Sequence, residues 1–336
     1  MSTPFFGEIF GPWWHMNGVI QTLPMFIALL TLISGLLAMT LIDSRTFTIP
    51  IQIPLFMTVV AFCAAIVQTW ISLRHTSQQA WPYPLIDWTW SGAAFGGMSG
   101  VILSSILLKC GVFKYSFADY EEYIEGDDML AVYPHARREM VKEIVVVFPI
   151  CLGFIIGWML CYEQGMPSLA IQGIAGSMLG YLVGGGLVGG VRILGTLGFG
   201  KEAMGLGDVH LLAGVGAIIG WWDPILIFFI APFSGLLWVA VSSFLEKIGK
   251  QMNEIPYGPH LTVATLIVVF CRPAVDWAWS VVMPSLQQQT SQKLQTNLLL
   301  DDLTNGDKTV SIHITPLPVG NGKVKQDVLL ELGEVL

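Results

Sequence analysis

Charge is what this chain has least of. Asp, Glu, Lys and Arg make up 12% of its 336 residues while 54% are hydrophobic, against about 25% charged in a soluble globular domain. A mean hydropathy of +0.66 excludes a disordered chain, a collagen-like chain and an ordinary cytosolic enzyme. Basic residues are the scarcer sign, 16 against 24 acidic ones for a formal charge of −8. That balance excludes nucleic-acid binding, which needs a basic footprint. Cysteine pairing is missing as well. Cys63, Cys110, Cys151, Cys161 and Cys271 make no C-x-x-C spacing and lie in or beside apolar runs. They read as small packing residues, with no metal site and no disulfide framework expected. No basic stretch precedes the first apolar run, so no cleaved signal peptide is expected.

What the chain has instead is apolar length. A spanning helix needs about 20 mostly apolar residues, and such runs fall at 24–42, 53–72, 91–109, 144–162, 169–191, 209–222, 224–245 and 259–281. The sixth is short, and its Trp221-Trp222-Asp223-Pro224 exit predicts a tight hairpin into the seventh. With 36 Gly for close helix approach and 12 Trp for the interfaces, the expected fold is an all-α polytopic membrane protein of about eight transmembrane helices in a lipid bilayer. Residues 1–23 form an outer N-terminal segment and 24–284 the membrane-embedded domain. A small cytoplasmic insertion occupies 110–143, and 285–336 form a polar C-terminal tail. Within the tail, the alternation Thr309-Val310-Ser311-Ile312-His313-Ile314 suits a strand or hairpin.

Lys and Arg set the orientation. The first, third, fifth and seventh connections carry Arg45, Lys109, Lys114, Arg137, Arg138, Lys142, Arg192, Lys201, Lys247 and Lys250. The N-terminal segment and the even connections carry only Arg74. Odd connections are therefore expected in the cytoplasm and both termini outside it. Trp88, Trp90, Trp221, Trp222, Trp277 and Trp279 then mark the outer interface, and His135, Arg137 and Arg138 a solvated helix surface.

Ionisable residues at membrane depth are costly and are functional hypotheses by default. Asp43 ends the first run and Asp208 opens the sixth, both on the cytoplasmic side. Two carboxylates brought together cannot both ionise easily. Such a pair offers one group to activate water and one to protonate a scissile carbonyl or leaving amine. Each also has a plain reading, an interfacial acid facing water or, for Asp208, a helix cap. Gly205 and Gly207 beside Asp208 let a peptide backbone approach closely. Gly184-Gly185-Gly186 and Gly189-Gly190 lie within an apolar run with no Lys-Ser/Thr following, so they read as helix packing rather than a phosphate cradle.

The stretch Gly200-Lys201-Glu202-Ala203-Met204-Gly205-Leu206-Gly207-Asp208-Val209-His210-Leu211-Leu212 resembles the signature of type IV prepilin peptidases, membrane aspartyl proteases of the GxGD class. Ile255-Pro256-Tyr257-Gly258-Pro259 is similar to that family's IPFGP element, and Asp43 followed by Ile49-Pro50 to its first catalytic block. The resemblance covers about 24 to 281. It implies Asp43 and Asp208 as the catalytic acids, with Pro50, Gly205, Gly207, Pro256, Gly258 and Pro259 supporting the motifs or the substrate. It further implies a multi-pass protein of the bacterial inner membrane. Its substrates would be type IV prepilin or type II secretion pseudopilin precursors, cut on the cytoplasmic side after a glycine, with no cofactor.

Two departures qualify the resemblance. Bacterial members usually carry two C-x-x-C pairs, tied to zinc and to methylation of the new N-terminus, before the first catalytic block. Here no paired Cys precedes Asp43, so cleavage without methyl transfer is expected. The family's usual Lys two positions after the second acid is His210 here. Two other classes remain open on the residues alone. One is a GxGD protease with another membrane substrate. The other is a transporter in which Asp43 and Asp208 relay protons or bind cations.

Overall fold

The computed structural model describes Trp14 and residues 17–46, 49–74, 86–117, 135–246 and 257–282. Among these residues it has nine helices: α1 (Val19–Thr46), α2 (Gln52–Arg74), α3 (Trp88–Lys109), α4 (Ala136–Leu160), α5 (Leu169–Phe199), α6 (Leu206–Ile219), α7 (Asp223–Glu246), α8 (Tyr257–Phe270) and α9 (Arg272–Val282). Residues 1–278 form one compact unit, and a second covers 279–336, of which only 279–282 are described. The tail's alternating stretch, Pro256, His15 and His75 lie outside the described residues.

Six helices, α1 to α5 and α7, are long and apolar enough to cross a membrane, and α6 and α8 are shorter apolar helices of 14 residues each. The polytopic all-helical class expected from the apolar runs is the one found. Large apolar side chains such as Phe148, Leu194 and Phe233 point outward from the long helices, the arrangement that suits lipid rather than water. The middle belongs to α6, whose residues Leu211 to Ile218 are all buried. It packs against α5 and α2 and touches α1, α7 and α8.

Lipid gives helices no hydrophobic reason to associate, so close backbone packing must do it. A Cβ on Gly180 would overlap the Gly216 carbonyl, and one on Gly184 the Leu212 carbonyl. Gly92, Gly96 and Gly100 of α3 stand in the same relation to Gly157, Gly153 and Pro149 of α4. Buried hydroxyls add cross-links: Ser177 Oγ donates to the Ala217 carbonyl and Ser104 Oγ to that of Val146, each at 2.7 Å. Within the run at 184–190 the close packing falls on Gly184 and, less tightly, on Gly185. Gly186 and Gly190 have nothing within 4 Å of an added Cβ, and Gly189 only Val209 at 3.7 Å.

Helix ends follow local chemistry. Asp87 caps α3 by accepting from the Trp90 amide at 3.0 Å, and α5 ends on Gly200 at φ +71, the left-handed conformation that glycine takes without strain. Four expectations are corrected. The last apolar run is two helices that break at Cys271, because Pro273 has no amide to continue α8 and stands instead in the first turn of α9, where none is needed. α5 continues through Phe199, which places Arg192 inside a helix and not in a connection. α4 begins at Ala136, so the end of the 110–143 segment is the first two turns of a membrane helix. Cys63, Cys110, Cys151 and Cys271 are exposed rather than packed inside.

Candidate active site

Asp43 lies in the last turn of α1 and is 4% exposed; Asp208 lies in the first turn of α6 and is 8% exposed. The fold brings these helix ends together, and the two carboxyl groups are within electrostatic reach of each other. Ile49 is the hinge of the arrangement, one residue before the Pro50 that leads into α2. A Cβ on Gly207 would fall 2.6 Å from Ile49 Cβ, and one on Gly258 would fall 3.3 Å from Ile49 Cδ1 and overlap Asp43 Oδ2. Gly258 and Pro259, both buried, open α8. Four chain segments therefore meet at one end of the bundle, and glycines occupy the places where a side chain would not fit.

The plain reading of Asp208 as a cap holds for part of the group only. Gly205 is the N-cap residue of α6, and its backbone amide acts on the Asp208 carboxyl in the manner of a capping box. The other oxygen, Oδ1, is buried with no hydrogen-bond partner. Asp43 Oδ2 is in the same condition, although the Gly258 backbone amide acts on its carboxyl. A third such atom is the hydroxyl of Tyr257, buried, unpartnered and within electrostatic reach of Asp208. Leaving a buried polar atom unmade costs about 1–3 kcal/mol. All three belong to groups that feel one another's charge at this end of the bundle.

A second polar cluster stands behind Asp208. Arg192 is 2% exposed. It forks onto Glu143 of α4, Nε donating to Oε2 at 3.0 Å and Nη2 to Oε1 at 2.9 Å. Nη1 donates to the Glu202 carboxylate and to the Met204 carbonyl. The Phe117 ring lies under the guanidinium, 5.4 Å from its centroid. Arg137 does not simply face solvent: its guanidinium donates to the Leu197 and Gly198 carbonyls at 3.0 and 3.2 Å, closing the end of α5.

Of the residues singled out in the sequence, Asp43, Asp208, Gly205, Gly207, Pro50, Gly258 and Pro259 gather at this end of the bundle. Pro256 lies outside the described residues. The sequence shows Ile49 and Tyr257 only as members of their motifs, without their contacts. For Arg192 the signal is an ionisable residue inside apolar sequence, which hydropathy alone reads as a connection.

Residues 135–240 match the model of the type IV leader peptidase family. The segment contains Asp208 and the Arg192 cluster, but neither Asp43 nor Gly258. The prepilin leader peptidase/N-methyltransferase of Aeromonas salmonicida (strain A449) is 31% identical over 111 residues, 33% of this chain and 36% of the relative. That of Aeromonas hydrophila is 33% identical over 105 residues, 31% and 34% of the two chains. That of Escherichia coli (strain K12) is 36% identical over 67 residues, 20% and 29%. The chain spans about a third of the length of the curated relatives it matches. No solved structure matches. The likeness of this chain to the type IV leader peptidase family is thus carried by residues 135–240.

Proposed function

We propose that this protein is an aspartyl endopeptidase of the bacterial inner membrane that removes the leader peptide from type IV prepilin or pseudopilin precursors at the cytoplasmic face. The observation that carries the reading is the meeting of two buried, unpartnered carboxyl oxygens, Asp43 Oδ2 and Asp208 Oδ1, among glycines. The relatives' printed names, prepilin leader peptidase/N-methyltransferase, support the same reading.

The chemistry follows from two acids that share one proton. The ionised member takes a proton from water, whose oxygen attacks the scissile carbonyl carbon. The protonated member hydrogen-bonds the carbonyl oxygen and then supplies the proton that the leaving amine needs as the C–N bond breaks. Gly207 and Gly258 let Ile49 and the Asp43 carboxyl close in where a side chain would hold them apart, which keeps the two acids near each other. The short α6 sets the depth of the reaction. Its 14 residues span about 21 Å, less than the ~30 Å hydrocarbon core. With Trp221 and Trp222 at the outer interface, Asp208 sits some 10 Å inside the inner one. An apolar precursor helix that keeps its basic leader in the cytoplasm presents its junction at that depth. Both termini of the chain then lie outside the cytoplasm.

The test is reconstitution of the full chain in lipid vesicles with a pilin-type precursor, reading leader loss by mass. Cleavage that disappears when either acid is changed supports the proposal. A proton or cation flux that depends on Asp43 and Asp208, without cleavage, would favour the transporter class instead.

A further inference from the structure

Arg192 stands out because of where it is. α5 runs seven residues beyond it to Phe199, which sets it about 10 Å from the helix end at ~1.5 Å per residue. A guanidinium at such a place is costly unless its donors are used, and here they are used unevenly. One edge makes a two-pronged fork with Glu143, enough to balance the charge. The remaining nitrogen, Nη1, turns to the connection between α5 and α6, where it holds the Glu202 carboxylate and the Met204 backbone carbonyl.

That connection has no regular structure of its own, and it leads directly into Gly205, the N-cap of α6. The residue between the two Arg192 contacts is tied as well: the Ala203 amide donates to Thr196 Oγ1 of α5 at 3.0 Å. Residues 202, 203 and 204 are thus each fastened to α5, and through Arg192 to α4. Asp208 is one helical turn further on, and the Arg192 charge reaches it. The cluster extends to the other side too. Ser116 Oγ donates to Glu143 at 2.9 Å, and the Phe117 amide donates to Glu139 at 2.8 Å. The described start of the 110–143 segment therefore closes on the α4 turn that grips Arg192.

We propose that Arg192 is a positioning residue for Asp208: anchored by Glu143, it fixes the backbone at Met204 and so the entry of α6, and it couples the start of the 110–143 segment to that entry. The inference rests on the peptidase reading for its effect on rate, but not for its effect on structure. Arg192 makes no contact that belongs to substrate, so its loss should move turnover and leave substrate affinity alone. Lys keeps the charge but cannot form a fork and reach a second partner from a planar group.

The experiment uses the full chain in vesicles, comparing wild type with Arg192→Lys and Glu202→Gln. Arg192→Lys should insert and accumulate normally and lower kcat about ten- to a hundredfold, the range that a small misplacement of an acid costs, with KM within about threefold of wild type. Glu202→Gln, at a position a third exposed, removes one anchor and should lower kcat several-fold in the same direction. Amide hydrogen exchange provides the readout that does not need catalysis. In both variants the amides of 203–208 should exchange at least about tenfold faster while those of α1 near Asp43 stay unchanged. Wild-type kcat in both variants, unchanged exchange at 203–208, or a KM rise with kcat intact would overturn the proposal. If Arg192→Lys fails to accumulate, Glu202→Gln decides alone. A wild-type protein that cleaves no precursor while the exchange changes appear would sink the peptidase reading and leave the positioning role standing.

Discussion

Gly258, at the start of α8, lies against Oδ2 of Asp43, at the end of α1, with no room for a Cβ between them. The acid is therefore set in place by the absence of a side chain. Gly258→Ala should push the Asp43 carboxyl aside and reduce precursor cleavage by about a hundredfold, with protein levels near normal. Gly186→Ala is the control, since an added Cβ there meets nothing within 4 Å. It should leave cleavage unchanged. Equal activity of the two variants would mean that the Gly258 contact does not position Asp43.

Position 207 should be sensitive for a related reason. Gly207→Val drives a branched side chain into Ile49, 2.6 Å from the new Cβ, whereas at Gly189 the nearest atom is Val209 Cγ1 at 3.7 Å. Cleavage should fall far more for Gly207→Val than for Gly189→Val at matched expression. Gly207→Ala should be partly rescued by Ile49→Gly, which removes the Cβ that the new side chain meets, because neighbours in contact are not additive. Independent, additive losses would show that Ile49 is not what confines position 207.

Tyr257 makes a prediction of opposite sign in stability. Its buried hydroxyl has no partner, so Tyr257→Phe removes a desolvated polar atom and should raise unfolding stability by about 1 kcal/mol. The IPFGP element that this stretch resembles has Phe at that place, so cleavage should stay within a few-fold of wild type. Thermal unfolding in detergent and the precursor assay read the two effects. A large drop in kcat would instead make the hydroxyl a donor to the reacting peptide.

The product's N-terminus should leave the enzyme unmodified. Purified protein, given a pre-cleaved pilin peptide and a sulfonium methyl donor, should not raise the peptide's mass by one methyl group. The same mass gained with wild-type protein, and lost with an inactivated one, would contradict this.

The apolar runs were legible because a bilayer imposes a length that few other environments do, and the two acids because charge is expensive at those depths. What sequence could not supply was which neighbours each helix end meets. Nothing in Ile49-Pro50 announces that it packs against Gly207, 158 residues later in the chain. Arg192 was misread for a physical reason: a charge in apolar sequence reads as a helix boundary, but Glu143 and Glu202 neutralise it inside the bundle. The break at Pro273 escapes a hydropathy reading, which does not register a missing amide. Of the glycine run at 184–190 only the start packs closely, since one helix crossing uses residues four apart and not a whole run. The contacts that matter are at Gly180 and Gly184, where α6 crosses α5.

The central claim is that Asp43 and Asp208 act as a pair, and the direct measurement is precursor cleavage by Asp43→Asn and Asp208→Asn, each at wild-type protein level in vesicles. Asn preserves shape but cannot share the proton that the pair needs. Each single variant should abolish cleavage, and the double variant should be no worse than either, because groups that work as a unit are not additive. Substantial leader removal by either single variant would contradict the account and remove that residue from the catalytic pair.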